Sequence, residues 1–133
     1  MTTPPRHTFH KAERLCSKKR IETLFAGGGR SLSAYPLRAV FIPAPDGTEP
    51  VQLLISVSKR RFKLAVHRNR TKRLIREAYR LNKHLLLNKL PPEQHLHLAF
   101  IWMSNQLSDF ATVQASTRNL LQRIGEEVEK LRK

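Results

Sequence analysis

Over residues 51–58 the side chains alternate, with Val51, Leu53, Ile55 and Val57 on one face and Gln52, Leu54, Ser56 and Ser58 on the other. A period of two predicts a β-strand with one face in a core and a mixed face that stays open. The stretch 35–42 is also rich in apolar and β-compatible residues. Between the two lies a run from Pro43 to Pro50 that is dense in turn formers, so a hairpin with a loose loop is expected. Past residue 64 the period becomes helical: His67, Thr71, Leu74, Ala78, Leu81 and Leu85 share one stripe, with Ile75 at its edge. This helix is expected to run to about Asn88 and to end before Pro91 and Pro92. A third strand over 95–103 places Leu96, Leu98, Phe100 and Trp102 on one side. A last helix from near Asp109 carries Phe110, Val113, Thr117, Leu120, Leu121, Ile124, Val128 and Leu131 at helical spacing. Gly125 weakens its final turns by about 1 kcal/mol relative to Ala. At the other end, Leu15, Ile21, Leu24 and Phe25 among charged residues predict a short amphipathic helix over 11–25, stopped by Gly27, Gly28 and Gly29. Residues 1–10 read as a flexible arm, and 11–133 as one domain with a single core.

Charge changes this picture of an ordinary small α/β domain. The 133 residues hold 25 Lys and Arg against 10 Asp and Glu, a formal net charge of +15. That excess indicates a polyanionic partner, nucleic acid ahead of a membrane surface. Eleven of the cations lie between Lys59 and Lys83 (Lys59, Arg60, Arg61, Lys63, Arg68, Arg70, Lys72, Arg73, Arg76, Arg80 and Lys83), opposed there by one acid, Glu77. On the helix, Lys72, Arg73, Arg76, Arg80 and Lys83 fall opposite the apolar stripe. Arg68 and Arg70 project to flanks about 200° apart, with Asn69 between them. Lys63, His67, Arg68 and Arg70 also sit at the end of the helix where free N–H groups already carry positive partial charge, a conflict that a phosphate relieves. No apolar run approaches the roughly 20 residues of a membrane span, and the first ten residues lack the apolar centre of a secretion signal. A cytoplasmic protein is expected. Cys16 is the single cysteine, so no internal disulfide forms.

No catalytic constellation accompanies the charge. Asp46, Glu49 and Glu93 fall in loops, Glu13 and Glu22 on the first helix, and Glu126, Glu127 and Glu129 on a solvated helix end. None forms the carboxylate pair of two-metal phosphodiester cleavage. His95 and His97 share a strand face without a third ligand nearby, which favours an exposed strand end over a metal site. The Gly27–Gly29 run lacks the Lys-Ser/Thr of a phosphate-binding loop. No catalytic residue and no metal site is therefore assigned to the chain.

One stretch carries a family resemblance. Ser56, Val57, Ser58, Lys59 and Arg60, then Ala65 through Tyr79 with Arg68-Asn69-Arg70, Lys72-Arg73 and Arg76-Glu77, resemble the signature of the bacterial ribonuclease P protein subunit. The order of the remaining segments is similar too, from Arg14-Leu15 and Ile21 to Phe25 through to the last helix. The resemblance implies a small two-layer α/β sandwich, ordered α-β-β-α-β-α, shared with a ribosomal-protein domain. A left-handed crossover would join two parallel strands through the basic helix, where chain-handedness rules alone give a right-handed one. It implies a subunit that binds a catalytic RNA and the 5′ leader of precursor tRNA, with the hydrolytic Mg2+ held through the RNA and no cofactor held by the protein. No stable protein partner and no membrane partner is expected. By residue-wise match Arg68, Asn69, Arg70, Lys72, Arg73 and Arg76 would contact the catalytic RNA. Lys18, Ile21, Phe25, Lys59 and Arg60 would line the leader cleft. Two departures stand out: Ile21 takes the place of an aromatic often found one helical turn before Phe25, and the turn over 60–64 lacks the usual glycine and is one residue longer. A basic structural protein of the ribosome is the alternative reading, and the Arg-Asn-Arg run argues against it.

Overall fold

The computed structural model describes residues 13–15, 21, 24, 29–44, 49–91 and 93–132. The expected flexible arm lies outside the described residues, as does most of the expected first helix, including Lys18 and Phe25; Ile21 and Leu24 are helical. Among the described residues the fold is mixed α/β. In chain order come β1 (Arg30–Ala34), β2 (Leu37–Pro43), β3 (Val51–Ser56), α1 (Ala65–Asn82), the single turn α2 (His84–Leu87), β4 (Leu96–Trp102) and α3 (Phe110–Arg132).

The expected hairpin between 35–42 and 51–58 does not form. The sheet order is β1-β2-β4-β3, so β4 lies between the two strands. β4 is buried at every position but Ile101, which is half-buried, and the most apolar strand takes an interior place where both edges are paired. β2 pairs with it antiparallel, Phe41 opposite Leu98. β3 pairs with it parallel, Leu53 opposite Leu98 and Ile55 opposite Phe100. The true hairpin joins β2 to β1, a strand the hydrophobic pattern does not announce: it turns at Tyr35-Pro36, a cis peptide, with Ser33 opposite Arg38. In β1 only Leu32 and Ala34 reach the core margin, while Ser31 and Ser33 are exposed.

On one face of the sheet, Leu37, Phe41, Leu53, Leu98, Phe100 and Trp102 pack against α1 and α3. α3 supplies Val113, Leu120, Leu121, Ile124 and Val128, as its spacing predicts. Asp109 caps it, accepting from the Thr112 N–H at 2.9 Å. The Lys89 side chain packs closely over Gly125, where a Cβ would stand 2.8 Å from Cδ of Lys89. α1 is rotated from its expected setting. Its buried residues are Thr71, Ile75, Ala78, Tyr79 and Asn82, whereas Leu74, Leu81 and Leu85 are only partly covered. The rotation is set by Tyr79, whose ring meets Phe100 edge-on with centroids 6.1 Å apart. The two polar members of the stripe bond within the helix, Thr71 Oγ1 to the His67 carbonyl and Asn82 Nδ2 to the Ala78 carbonyl.

The other sheet face is half covered. Leu15, Leu24, Val40 and Ala99 form a second apolar cluster, flanked by Ile21, Ile42, Leu54 and Ile101. The chain near Leu15 also shields the outer edge of β3, with Arg14 bridging Leu53 and the Leu15 N–H donating to the Leu53 carbonyl at 2.9 Å. Glu13 then reaches Lys83 at 2.8 Å in an ion pair whose side chains are 12% and 8% exposed. Lys83, expected on the outward face of the basic helix, instead ties the N-terminal segment to the helix end. Both charges need that partner, because an isolated charge at this depth would be strongly destabilising.

The observed rotation of α1 gives an ordered stability prediction. Ile75→Ala, at a fully buried site, should cost about 2–5 kcal/mol, and Leu74→Ala clearly less. Urea midpoints of the two variants check this; a larger loss at Leu74 would contradict the rotation.

Candidate nucleic-acid interface

The surface is built outward from one turn. After Val57 the chain leaves the sheet, and the Arg61 and Phe62 N–H groups both donate to the Ser58 carbonyl, at 3.1 and 3.4 Å. This points Phe62 inward, where it is buried and meets the His67 ring edge-on at 6.1 Å. With Phe62 as anchor, Lys59, Arg60 and Lys63 are left exposed. Arg68 locks the turn from the helix side: its Nη1 donates to the carbonyls of Phe62 at 2.8 Å and Lys63 at 3.0 Å. Arg61 locks it from the other side by donating to Asn105 Oδ1 at 3.2 Å. The glycine-free turn is thus held by a buried aromatic and two guanidinium struts.

α1 starts from Leu64 in an extended conformation, with no side-chain cap and no acid in its first turn. The His67 N–H donates to the Leu64 carbonyl at 3.2 Å, while the Ala65 and Val66 N–H groups have no acceptor within the helix and lie beside several cations, a setting that favours an anion. Asn69, Arg70, Arg73 and Arg76 are all exposed, and Lys72 is half-buried. At about 100° per residue, Asn69, Arg73 and Arg76 span an arc of roughly 60°, facing away from the buried stripe, and Arg70 stands on its flank. Among the described residues no carboxylate pairs with Arg70, Arg73 or Arg76. Glu77 does not offset them, because it is engaged by Arg80, whose Nε lies 3.1 Å from Oε2 and whose Nη2 bonds Oε1. That hydrogen bond holds the Glu77 carboxyl below the usual carboxylate range.

Of the six residues matched to RNA contact, four are therefore exposed and Lys72 is half-buried on the flank, while Arg68 spends part of its donor set inside the protein. Arg80 and Lys83, also expected on the charged face, are committed to Glu77 and Glu13.

Beside the turn, Ser56, Ser58, Arg60, Arg61, Ile101, Trp102 and Met103 line an open groove of about 330 Å3. It begins where the second apolar cluster ends. Of the residues matched to the leader cleft, Arg60 lines this groove and Lys59 is exposed next to it. Ile21 packs into the second cluster and shapes the covered half of the face; Lys18 and Phe25 lie outside the described residues. Ile101 and Met103 are groove residues that the sequence does not single out, and Arg61 stands out there only as one of the clustered cations. The alternation of β3 and β4 held a signal for one of them, since Ser56 and Ile101 are register partners. Among the described residues no three His, Cys, Asp or Glu side chains stand close enough together to hold a metal. His95 instead donates from Nδ1 to the Glu49 carbonyl at 2.8 Å, and His97 is buried.

Comparison with known proteins gives this geometry a context. The Ribonuclease P family profile matches residues 9–125. A ribonuclease P protein component of Porphyromonas gingivalis W83 is 44% identical over 130 residues, covering 96% of this chain and 94% of that protein. One of Chlorobaculum tepidum is 31% identical over 117 residues, covering 80% and 76%. Among solved structures, the RNase P protein of Thermotoga maritima superposes with a TM-score of 0.66 at 28% identity, covering 84% of this chain and 96% of its own. The Staphylococcus aureus RNase P protein gives 0.69 at 22% identity, covering 86% and 96%; that likeness is one of fold.

The struts separate two kinds of arginine. Arg68→Ala should lower thermal stability, by an amount on the order of 1–3 kcal/mol for charge-assisted bonds, as well as weakening nucleic-acid binding. Arg70→Ala should weaken binding with the unfolding midpoint unchanged. Calorimetry and a binding titration on both variants check this, and equal midpoints would contradict the strut.

Proposed function

The chain belongs to the bacterial ribonuclease P protein family, and from that premise we propose that its exposed arginine face binds the RNA subunit while the half-open sheet face receives the precursor's leader. Family membership gives the activity: the chain is part of the ribonuclease P holoenzyme, which works with an RNA subunit to cleave precursor tRNA and mature its 5′ end. The division of surfaces is our reading, and one observation carries it. Asn69, Arg70, Arg73 and Arg76 are exposed and uncompensated among the described residues, on the side of α1 away from its buried stripe.

An arginine array of this kind suits phosphate. Each guanidinium offers donors in a fixed fork and keeps its charge at any physiological pH. Few side chains on the face read base edges, so the contact is with backbone and shape, as suits a folded RNA. Arg68 holds the turn and the array in one rigid body, and Lys72 adds charge from the flank. The Ala65 and Val66 N–H groups at the start of α1, which have no acceptor within the helix, fit a further phosphate.

The groove faces a different direction and has a different composition. Lys59 and Arg60 bring charge to a floor of Ser56, Ile101 and Met103, the arrangement of a site that tracks a single strand without reading its sequence. Phe25 supplies the stacking surface in this reading, as the family match implies, with Lys18 as a further cation. The hydrolytic Mg2+ ions are held by the RNA subunit, and the protein's part is to assemble and to position.

Two outcomes test this. Affinity for the RNA subunit should fall linearly on a log–log plot against salt, by about 0.7 to 0.9 per phosphate neutralised, and Arg73→Ala should make that slope shallower. A filter-binding series over salt concentration checks it; an unchanged slope would contradict the phosphate assignment. In the reconstituted holoenzyme, Arg60→Ala and Phe25→Ala should weaken binding of precursor tRNA and leave mature tRNA unaffected, and RNA-free protein should cut neither. Equal losses for both substrates would remove the leader from this groove.

A further inference from the structure

Among the described residues, the uncovered part of this sheet face extends beyond the groove. Pairing aligns four residues in one row on that face: Ser56 of β3 opposite Ile101 of β4, Ile101 opposite Arg38 of β2, and Arg38 opposite Ser33 of β1. The next row, Leu54, Ala99 and Val40, is sealed by Leu15 and Leu24. Arg38 is therefore an exposed charge near the start of an interior strand, at the boundary between covered and open sheet. Its Nε donates to Ser31 Oγ at 2.7 Å, a bond that does not use the two terminal nitrogens of the guanidinium. Among the described residues it has no carboxylate partner. Arg30 and Arg123, its basic neighbours around β1, are used inside the protein, on Glu127 and on the Ser33 carbonyl.

The geometry points to Arg38 as a second phosphate contact for the single-stranded leader, at the far end of a track that starts at Arg60 and crosses the sheet. This rests on the assignment of the groove to the leader and extends it. Adjacent strands are about 4.8 Å apart, so β3 and β2, with β4 between them, are separated by roughly 10 Å. A short run of single-stranded backbone can bridge a span of that order. Charge at both ends of a smooth floor of Ser56 and Ile101 gives backbone contact at each end with no base readout between. Arg38 then acts as a gauge of leader length: a leader that stops short of β2 cannot use it.

The test is binding by the reconstituted holoenzyme of precursors that differ only in leader length, with mature tRNA as the zero-length member, for wild type, Arg38→Ala, Arg38→Lys and Arg60→Ala. Arg38→Ala is expected to lose affinity several-fold for leaders long enough to cross the face and to match wild type for the shortest leader and for mature tRNA. Its log–log salt slope with a long leader should be smaller by about 0.7, the value for one single-strand phosphate, and Arg38→Lys should restore it. If Arg60→Ala shows a leader-dependent loss and Arg38→Ala shows none, the assignment of Arg38 is overturned and the groove reading stands. If neither variant depends on the leader, the groove reading falls as well. A loss with Arg38→Ala that is equal for mature tRNA, or that Arg38→Lys does not restore, also overturns the assignment.

Discussion

Parallel pairing of β3 with β4 cannot be closed by a short turn, and the rest of the molecule is arranged around that constraint. The chain has to cross the sheet before it can return, and α1 is the element that crosses. Covering the sheet buries one side of α1 through Ile75, Ala78 and Tyr79 and necessarily turns the opposite side to solvent. The same topology brings the turn after β3 and the loop after β4 to the same end of the sheet, where Arg61 meets Asn105. The arginine array and the groove are therefore products of one connection, fixed in relation to each other by Phe62 and Arg68.

Within that frame the distribution of charge separates cations used for structure from cations available to a partner. Lys83, Arg80, Arg30 and Arg123 have acceptors inside the protein, and Arg68 is divided between the two roles. Arg70, Arg73, Arg76, Lys59 and Arg60 are exposed and lack acidic partners among the described residues. Clustered charge of one sign opposes folding through self-repulsion, so such a surface is tolerable where the hydrophobic core is contiguous and a polyanion is at hand. The core spans all three helices and all four strands, and the net charge of +15 favours rapid, salt-sensitive association.

The sequence made the strongly periodic elements legible and concealed those that depend on tertiary context. β3, β4, α1 and α3 follow from alternation and helical spacing, and Asp109 was readable as a helix start because its carboxylate meets the Thr112 N–H locally. β1 was not legible: its Ser31 and Ser33 face solvent, and only Leu32 is large and apolar. The hairpin was misassigned because adjacency in sequence favours pairing, whereas the buried character of β4 placed it between β2 and β3. Helical spacing located the charged face of α1 and left its rotation uncertain by about one position, a matter decided by Tyr79 against Phe100. The exposed Asn69, Arg70, Arg73 and Arg76, with the half-buried Lys72 beside them, were readable from spacing and family likeness together. The inward bonds of Arg68 and Lys83 were not, because their acceptors at Phe62, Lys63 and Glu13 are set by the folded chain.

The central claim is that two faces of this protein meet two different RNAs, and a tethered cleavage probe tests it directly. In a Cys16→Ser background, an iron chelate attached through Asn69→Cys on α1 or through Ser58→Cys at the groove would generate hydroxyl radicals in the assembled holoenzyme bound to precursor tRNA. The account predicts that the probe at position 69 cuts the RNA subunit and spares the leader, and that the probe at position 58 cuts the leader near the cleavage site. Strong leader cuts from position 69, or cuts from both positions in the same RNA segment, would contradict it.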